Sequence, residues 1–149
     1  MQKIIHHCFF LNLLLTPFFM NAQKPQINHV AVHVSNLQKS TDFYTNVIGL
    51  DTIPEPFHDG LHTWLSMGGK AQLHLIAGAP AGLVHDKYNH LCFSVASMEN
   101  FVATLTKANI PYQDWPGKQN TVTTRPDGIK QIFFTDPDGY WIEVNNDYK

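Results

Sequence analysis

The chain has 149 residues, of which 44% are hydrophobic, 15% charged and 12% aromatic, and its formal net charge is −2. This composition is typical of a globular protein and excludes a disordered chain, a collagen and a coiled coil. The length predicts one domain, or two small modules sharing a core, and leaves no room for a Rossmann cofactor domain beside a substrate domain. No basic face is available for nucleic acid, so we expect no nucleic-acid partner.

The first 22 residues have the pattern of an export signal. Lys3 is followed by an apolar run from Cys8 to Met20, and Ala22 supplies a small residue at the expected cleavage point. The run is shorter than the roughly 20 residues that span a membrane. We therefore expect a secreted or periplasmic protein, cleaved to residues 23–149, whose only membrane contact is through this signal.

An internal repeat organises the rest of the chain. Residues 28–34 are matched 61 residues later by residues 89–95, and both segments alternate apolar and polar side chains as a half-buried strand does. A helical pattern follows each segment: residues 37–48 behind a Ser35 or Asn36 cap, and residues 98–108 behind Ser97. The strand-to-helix order is thus predicted twice.

Short strand patterns joined by turn residues follow each helix. They cover residues 61–67 and 71–76 in the first half, and residues 129–134 and 140–145 in the second. Each half therefore reads as a βαβββ module, and the fold class is predicted as α+β. The modules span about residues 26–77 and about residues 88–146, separated by the Pro/Gly-rich linker 77–82.

A cavity is expected where the two modules meet. A sheet covered by one helix has an open face, and two such sheets side by side form a curved half-barrel. The long segment 114–128, rich in proline and glycine, is predicted as a loop that closes over this cavity.

Four polar side chains occupy equivalent positions in the repeat. His29 and His90 lie on the polar face of the two opening strands, while His74 and Glu143 each interrupt an apolar closing strand. The pairs His29/His74 and His90/Glu143 are therefore predicted to converge. Imidazole and carboxylate are good ligands for divalent metals, so we expect one nickel, zinc, manganese or ferrous ion, with open positions for substrate.

These segments resemble the vicinal oxygen chelate superfamily, which includes glyoxalases, fosfomycin-resistance transferases, extradiol dioxygenases and bleomycin-binding proteins. The resemblance covers about residues 26–146 and is carried by the His29 and His90 strands, by residues 40–50 and by residues 136–143. It implies that His29, His90 and Glu143 are metal ligands. Glyoxalase I has a glutamate where this chain has His74, so His74 is expected to be either a fourth ligand or a proton-transferring base.

The leading functional hypothesis is an exported metal-dependent lyase or isomerase resembling glyoxalase I. It would chelate a small substrate through adjacent oxygens, and Glu143 or His74 would be the catalytic group that moves the proton. Arg125, Trp64 and Trp115 are predicted to contact the substrate.

Two other functions fit the same residues. Two histidines and a carboxylate also form the metal site of non-haem iron(II) oxygenases, which favours an extradiol-type dioxygenase. An aromatic cleft without metal would favour a drug-binding protein of the bleomycin-resistance kind. Two arrangements of the modules are open. A homodimer would pair modules from two chains, whereas the repeat also allows a complete cavity within one chain.

Overall fold

The computed structural model describes residues 23–149, so the predicted export signal lies outside the described residues. None of the helices in this part of the chain has the length and apolar character needed to cross a membrane. The elements in chain order are β1 His29–Val34, α1 Leu37–Phe43, β2 Asp51–Ile53, β3 His62–Ser66, β4 Gln72–Ala77, β5 His90–Ser94, α2 Met98–Lys107, β6 Thr123–Thr124, β7 Lys130–Thr135 and β8 Trp141–Asn145.

The strands form two four-stranded sheets with the same topology. Their orders are β1-β4-β3-β2 and β5-β8-β7-β6, and in each sheet the opening strand pairs in parallel with the closing strand. The other pairings are antiparallel. This arrangement confirms the α+β prediction with two βαβββ modules. One difference is β6, a two-residue strand inside the segment 114–128 that the sequence predicted as loop throughout.

Helix ends follow the predicted capping residues. The Asn36 side chain accepts a hydrogen bond from the Lys39 amide at 3.0 Å, and the Ser97 side chain accepts one from the Asn100 amide at 3.2 Å. The α-helix α1 is shorter than expected because it continues as a π-helical turn over Tyr44–Ile48. That turn ends at Gly49, whose φ of 86° lies in the left-handed region that glycine adopts without strain.

A single hydrophobic core joins the two modules. Buried residues of both sheets and both helices belong to one contiguous cluster. The Phe134 ring of β7 packs between the two helices, with ring centroids 6.3 Å from Phe43 of α1 and 5.9 Å from Phe101 of α2. The core therefore holds the modules in one relative position.

One buried and one partly buried hydrogen bond also join α1 and the π-helical turn that follows it to the turn between β7 and β8. The Tyr44 hydroxyl donates to Asp136 at 2.9 Å, and the Ser40 hydroxyl donates to Asp138 at 2.9 Å. Asp136 also accepts hydrogen bonds from the backbone amides of Asp138 and Tyr140. Sliding one module past the other would leave these buried polar groups without partners.

The buried Tyr44 hydroxyl makes the protein less stable at alkaline pH. Burial, followed by the charge of Asp136, raises the pKa of Tyr44 well above its ordinary value. A group whose pKa is raised by folding contributes its full stabilisation below its unfolded-state pKa, which is about 10 for tyrosine. This contribution to the free energy of unfolding decreases as the pH rises above that value. We expect this residue to reduce the free energy of unfolding by about 1.4 kcal/mol per pH unit above pH 10.

The matched variant is Tyr44→Phe, which removes the titrating hydroxyl and keeps the ring. Urea unfolding at pH 7 should show a loss of about 1–2 kcal/mol, because the Asp136 carboxylate loses one buried donor. Between pH 10 and pH 11 the variant should lose less stability than the wild type. Equal slopes for the two proteins would contradict this role for Tyr44.

Candidate metal centre

The second sheet presents a row of polar side chains beside two aromatic rings. Glu143 of β8 lies directly opposite Cys92 of β5 and Phe133 of β7, and His90 lies opposite Trp141. Residues directly opposite each other in a sheet share a face, and residues two apart on one strand also share it. All five side chains therefore lie on one face, as alternation in the sequence predicted for His90 and Glu143.

His90 and Glu143 face each other as a close pair. The distance from His90 Nε2 to Glu143 Oε2 is 3.3 Å, and the Glu143 side chain is buried while His90 is half-buried. His90 Nδ1 lies 2.9 Å from the backbone carbonyl oxygen of Lys87. A carbonyl only accepts, so Nδ1 carries the proton, and in a neutral ring the unprotonated Nε2 is an acceptor whose lone pair faces the carboxylate.

This geometry fits a divalent metal ion. Two hydrogen-bond acceptors 3.3 Å apart repel each other unless a proton or a cation lies between them. Ligands at roughly 2.0–2.1 Å from a tetrahedral zinc ion lie about 3.3–3.4 Å from each other. A backbone carbonyl on the other ring nitrogen is also the usual outer partner of a metal-binding histidine. His90 and Glu143 are therefore suited to be two ligands of one ion.

Asn145 orients the second oxygen of the carboxylate. Its buried side-chain amide donates to Glu143 Oε1 at 3.0 Å and lies 3.2 Å from Cys92 Sγ. Glu143 Oε2 is thereby left to face His90. Burial and the Glu143 charge raise the pKa of the Cys92 thiol to about 12, so this thiol is protonated at neutral pH and a poor nucleophile.

We expect Asn145→Ala to weaken metal binding roughly 10–100-fold, because it removes the group that orients Glu143. Ser94→Ala is the matched control, since Ser94 lies opposite Asn145 on β5 and is exposed. Competition of each protein with a colorimetric zinc chelator measures the affinity. An Asn145→Ala protein that binds zinc as tightly as the Ser94→Ala protein would contradict the orienting role.

The first-module pair has a different arrangement. The His74 ring lies between two parallel rings, 4.2 Å from His29 and 4.0 Å from Trp64, and its Nε2 is 2.8 Å from Gln72 Oε1. Nitrogen lone pairs lie in the ring plane, so two parallel stacked imidazoles cannot both point at one ion. Burial, followed by the positive charges of His29 and His62, lowers the pKa of His74 and favours its neutral form.

The predicted convergence of the two pairs is not seen within one chain. Among residues 23–149, no three histidine, cysteine or carboxylate side chains lie close enough together to hold one ion. His29 and His74 belong to the first sheet, whereas His90 and Glu143 belong to the second. Each module thus presents one pair, His29/His74 or His90/Glu143.

The predicted substrate-contacting residues lie in three different settings. Trp115 is 37% exposed and packs edge-on near His90, with ring centroids 6.4 Å apart. Trp64 is stacked on His74 in the other module. Arg125 is on the turn before β7, where its guanidinium forms an ion pair with Asp127. Of the three, Trp115 is the one whose ring packs against His90, and the charge of Arg125 is close enough to interact with Glu143 and Cys92.

Two residues that the sequence analysis did not select belong to this site. Asn145 follows Glu143 by two positions, so strand alternation could have identified it. Lys87 lies before β5, and its ammonium group is over the rings of Trp115, Phe133 and Trp141. No strand or helix pattern places a loop lysine there, so the sequence offered no signal for Lys87.

Comparison with known proteins assigns the chain to one family. The family model described as "Glyoxalase/Bleomycin resistance protein/Dioxygenase superfamily" matches residues 26–144. The metallothiol transferase FosB of Shouchella clausii (strain KSM-K16) is 30% identical over 123 residues, which cover 80% of this chain and 78% of FosB. Glyoxylase I 4 of Arabidopsis thaliana is 30% identical over 127 residues, covering 80% and 70% of the two chains.

Solved structures share the same architecture. A glyoxalase family protein from Bacillus anthracis superposes with a TM-score of 0.65 at 24% identity, covering 87% of this chain and all of the other. Lactoylglutathione lyase from Agrobacterium tumefaciens superposes with a TM-score of 0.62 at 19% identity, covering 85% and 98% of the two chains. At these identities the likeness concerns the fold.

Proposed function

Because the chain belongs to the Glyoxalase/Bleomycin resistance protein/Dioxygenase superfamily, we propose that it is a metal-dependent enzyme that binds a small substrate through two adjacent oxygens. The metal ligands in this proposal are His29, His90 and Glu143. The observation that carries it is the 3.3 Å approach of His90 Nε2 to Glu143 Oε2, with the other ring nitrogen bonded to a carbonyl.

The proposed reaction is that of a lyase or isomerase that moves a proton next to a carbonyl group. A bound divalent ion would act as a Lewis acid for the substrate oxygens. His74 is the proposed base, since burial keeps its imidazole neutral and Gln72 holds its Nε2 in place. Glu143 is the alternative base, because its carboxylate could accept a proton as well as bind the metal.

The test is turnover of the methylglyoxal–glutathione hemithioacetal to lactoylglutathione by protein supplied with nickel or zinc. We expect a metal-dependent rate that His74→Gln lowers at least 100-fold through kcat, with metal binding retained. His33→Gln is the matched control, because His33 is an exposed histidine on the neighbouring strand. A rate no higher than that of free metal would exclude this substrate.

A second candidate reaction is thiol transfer. It is favoured by the relatives named metallothiol transferase FosB, one of which is 30% identical to this chain. Thiol transfer would consume one thiol for each molecule of electrophile. The test is therefore to supply fosfomycin as the electrophile and to measure the decrease in free thiol. Thiol loss that requires metal and Glu143, without lactoylglutathione formation, would replace the lyase proposal with this one.

We further propose that two copies of the chain complete each metal site. Within residues 23–149 no three possible ligands lie together, and only His90 and Glu143 face each other, whereas a catalytic metal usually has three protein ligands. The hydrogen bonds of Ser40 and Tyr44 to the β7–β8 turn resist movement of the modules within one chain. A second copy could instead supply His29 opposite His90 and Glu143.

Mixing two inactive variants tests this assembly. In a shared site, a His29→Ala chain and a Glu143→Ala chain together form one intact site per mixed dimer. Unfolding and refolding the two proteins in equal amounts should therefore restore about a quarter of the wild-type metal content. No restoration would show that all ligands come from one chain.

Export is the remaining part of the proposal, and it rests on the pattern of residues 1–22. Expression of the full chain in a Gram-negative host should give periplasmic protein that begins at Gln23. Full-length protein confined to the cytoplasm would contradict cleavage and export.

A further inference from the structure

A lysine lies on the same sheet face as the proposed metal ligands. Lys87 Nζ is 4.6 Å from the ring centre of Phe133 and 4.8 Å from that of Trp141. Phe133 lies opposite Glu143, and Trp141 precedes Glu143 by two residues on β8. The ammonium group is therefore held above the face that carries His90 and Glu143.

The ammonium group is fixed but has unused hydrogen-bonding capacity. It donates to the backbone carbonyls of Asp114 at 2.8 Å and Trp115 at 3.0 Å. An ammonium has three donors, so one N–H is free of these partners. In residues 23–149 no carboxylate forms an ion pair with Lys87.

A cation in this state is suited to bind an anion. Three aromatic rings and two carbonyls hold the side chain, so little conformational entropy is lost when a ligand accepts the third N–H. The other cation predicted to meet substrate, Arg125, is engaged by Asp127. Of the two cations, Lys87 is therefore the one that no carboxylate of residues 23–149 engages in an ion pair.

We propose that Lys87 binds a negatively charged oxygen of the substrate, so that the enzyme selects small acids whose adjacent oxygens reach the metal while a separate carboxylate reaches Lys87. This inference rests on the proposed function, since the chelating oxygens define where the substrate lies. It assigns Lys87 a role in substrate affinity and selectivity, separate from metal binding.

Two hydroxamates provide a matched pair of probes. Butyrohydroxamate and succinic monohydroxamate chelate metal with the same group and have the same number of carbons, but the second carries a carboxylate in place of a methyl group. We expect zinc-loaded wild-type protein to bind succinic monohydroxamate roughly tenfold or more tightly than butyrohydroxamate, as a charge-assisted hydrogen bond predicts. Isothermal titration calorimetry measures both affinities.

Two lysine variants test whether the Lys87 ammonium group causes this preference. Lys87→Met should reduce the preference to less than about twofold while butyrohydroxamate and zinc bind as in the wild type. Lys118→Met is the control, because it removes an exposed lysine from the adjoining loop and should keep the preference.

Three results would overturn the inference, each in a distinguishable way. If the wild type binds the two hydroxamates with equal affinity, there is no preference for the carboxylate and the inference is wrong. A preference retained in Lys87→Met would assign the anion to another group. Failure of zinc-supplemented wild type to bind either hydroxamate would overturn the proposed metal function, and this inference with it.

Discussion

We expect that replacing Glu143 with Gln will lower the affinity for a divalent metal by more than 100-fold. The variant keeps the shape of the side chain and an oxygen for Asn145. It loses the negative charge of the carboxylate, whose Oε2 lies 3.3 Å from His90 Nε2 and would offset the charge of a bound dication. Loss of a direct ligand should exceed the roughly 10–100-fold effect of an outer partner. Competition with a zinc chelator measures the affinity.

Glu99→Gln is the matched control for this prediction. Glu99 is an exposed carboxylate of α2 that pairs with Lys130, and we expect its replacement to leave zinc affinity unchanged. His90→Ala should reproduce the loss seen with Glu143→Gln. Zinc affinity equal to that of the wild type in either site variant would remove that residue from the ligand set.

Phe134→Ala should lower the free energy of unfolding by about 3–5 kcal/mol. The Phe134 ring is 2% exposed and packs against one aromatic residue from each helix, so its removal leaves a cavity at the junction of the modules. Urea or thermal unfolding followed by circular dichroism measures the change.

Phe57→Ala is the control for that loss, because Phe57 is 60% exposed and its replacement should change stability by less than about 0.5 kcal/mol. Two separate unfolding transitions in the wild type would contradict a shared core. A Phe134→Ala protein as stable as Phe57→Ala would contradict the role of Phe134 in joining the modules.

The repeat in the sequence was sufficient to predict the modules and the faces of their strands. Residues 28–34 and 89–95 became the equivalent edge strands β1 and β5, and alternation placed His90 and Glu143 on the same face. The caps at Asn36 and Ser97 follow from local chemistry and were also predicted. Such features depend on neighbours in the chain, and pattern reasoning detects them.

Features that depend on packing between modules could not be predicted in the same way. The separation of the His29/His74 and His90/Glu143 pairs results from the contacts of Tyr44 and Phe134, which join distant parts of the chain. Stacking of His74 between two rings likewise depends on three neighbouring strands. Lys87 reaches the site from a loop, where side-chain direction has no sequence period.

The most direct test of the account is the metal content of purified residues 23–149, measured by elemental mass spectrometry after exposure to nickel, zinc, manganese and ferrous ions followed by dialysis. A site built from His29, His90 and Glu143 predicts about one ion per chain for at least one of these metals. Protein that retains none of the four would contradict a metal-dependent enzyme and favour a small-molecule binding protein.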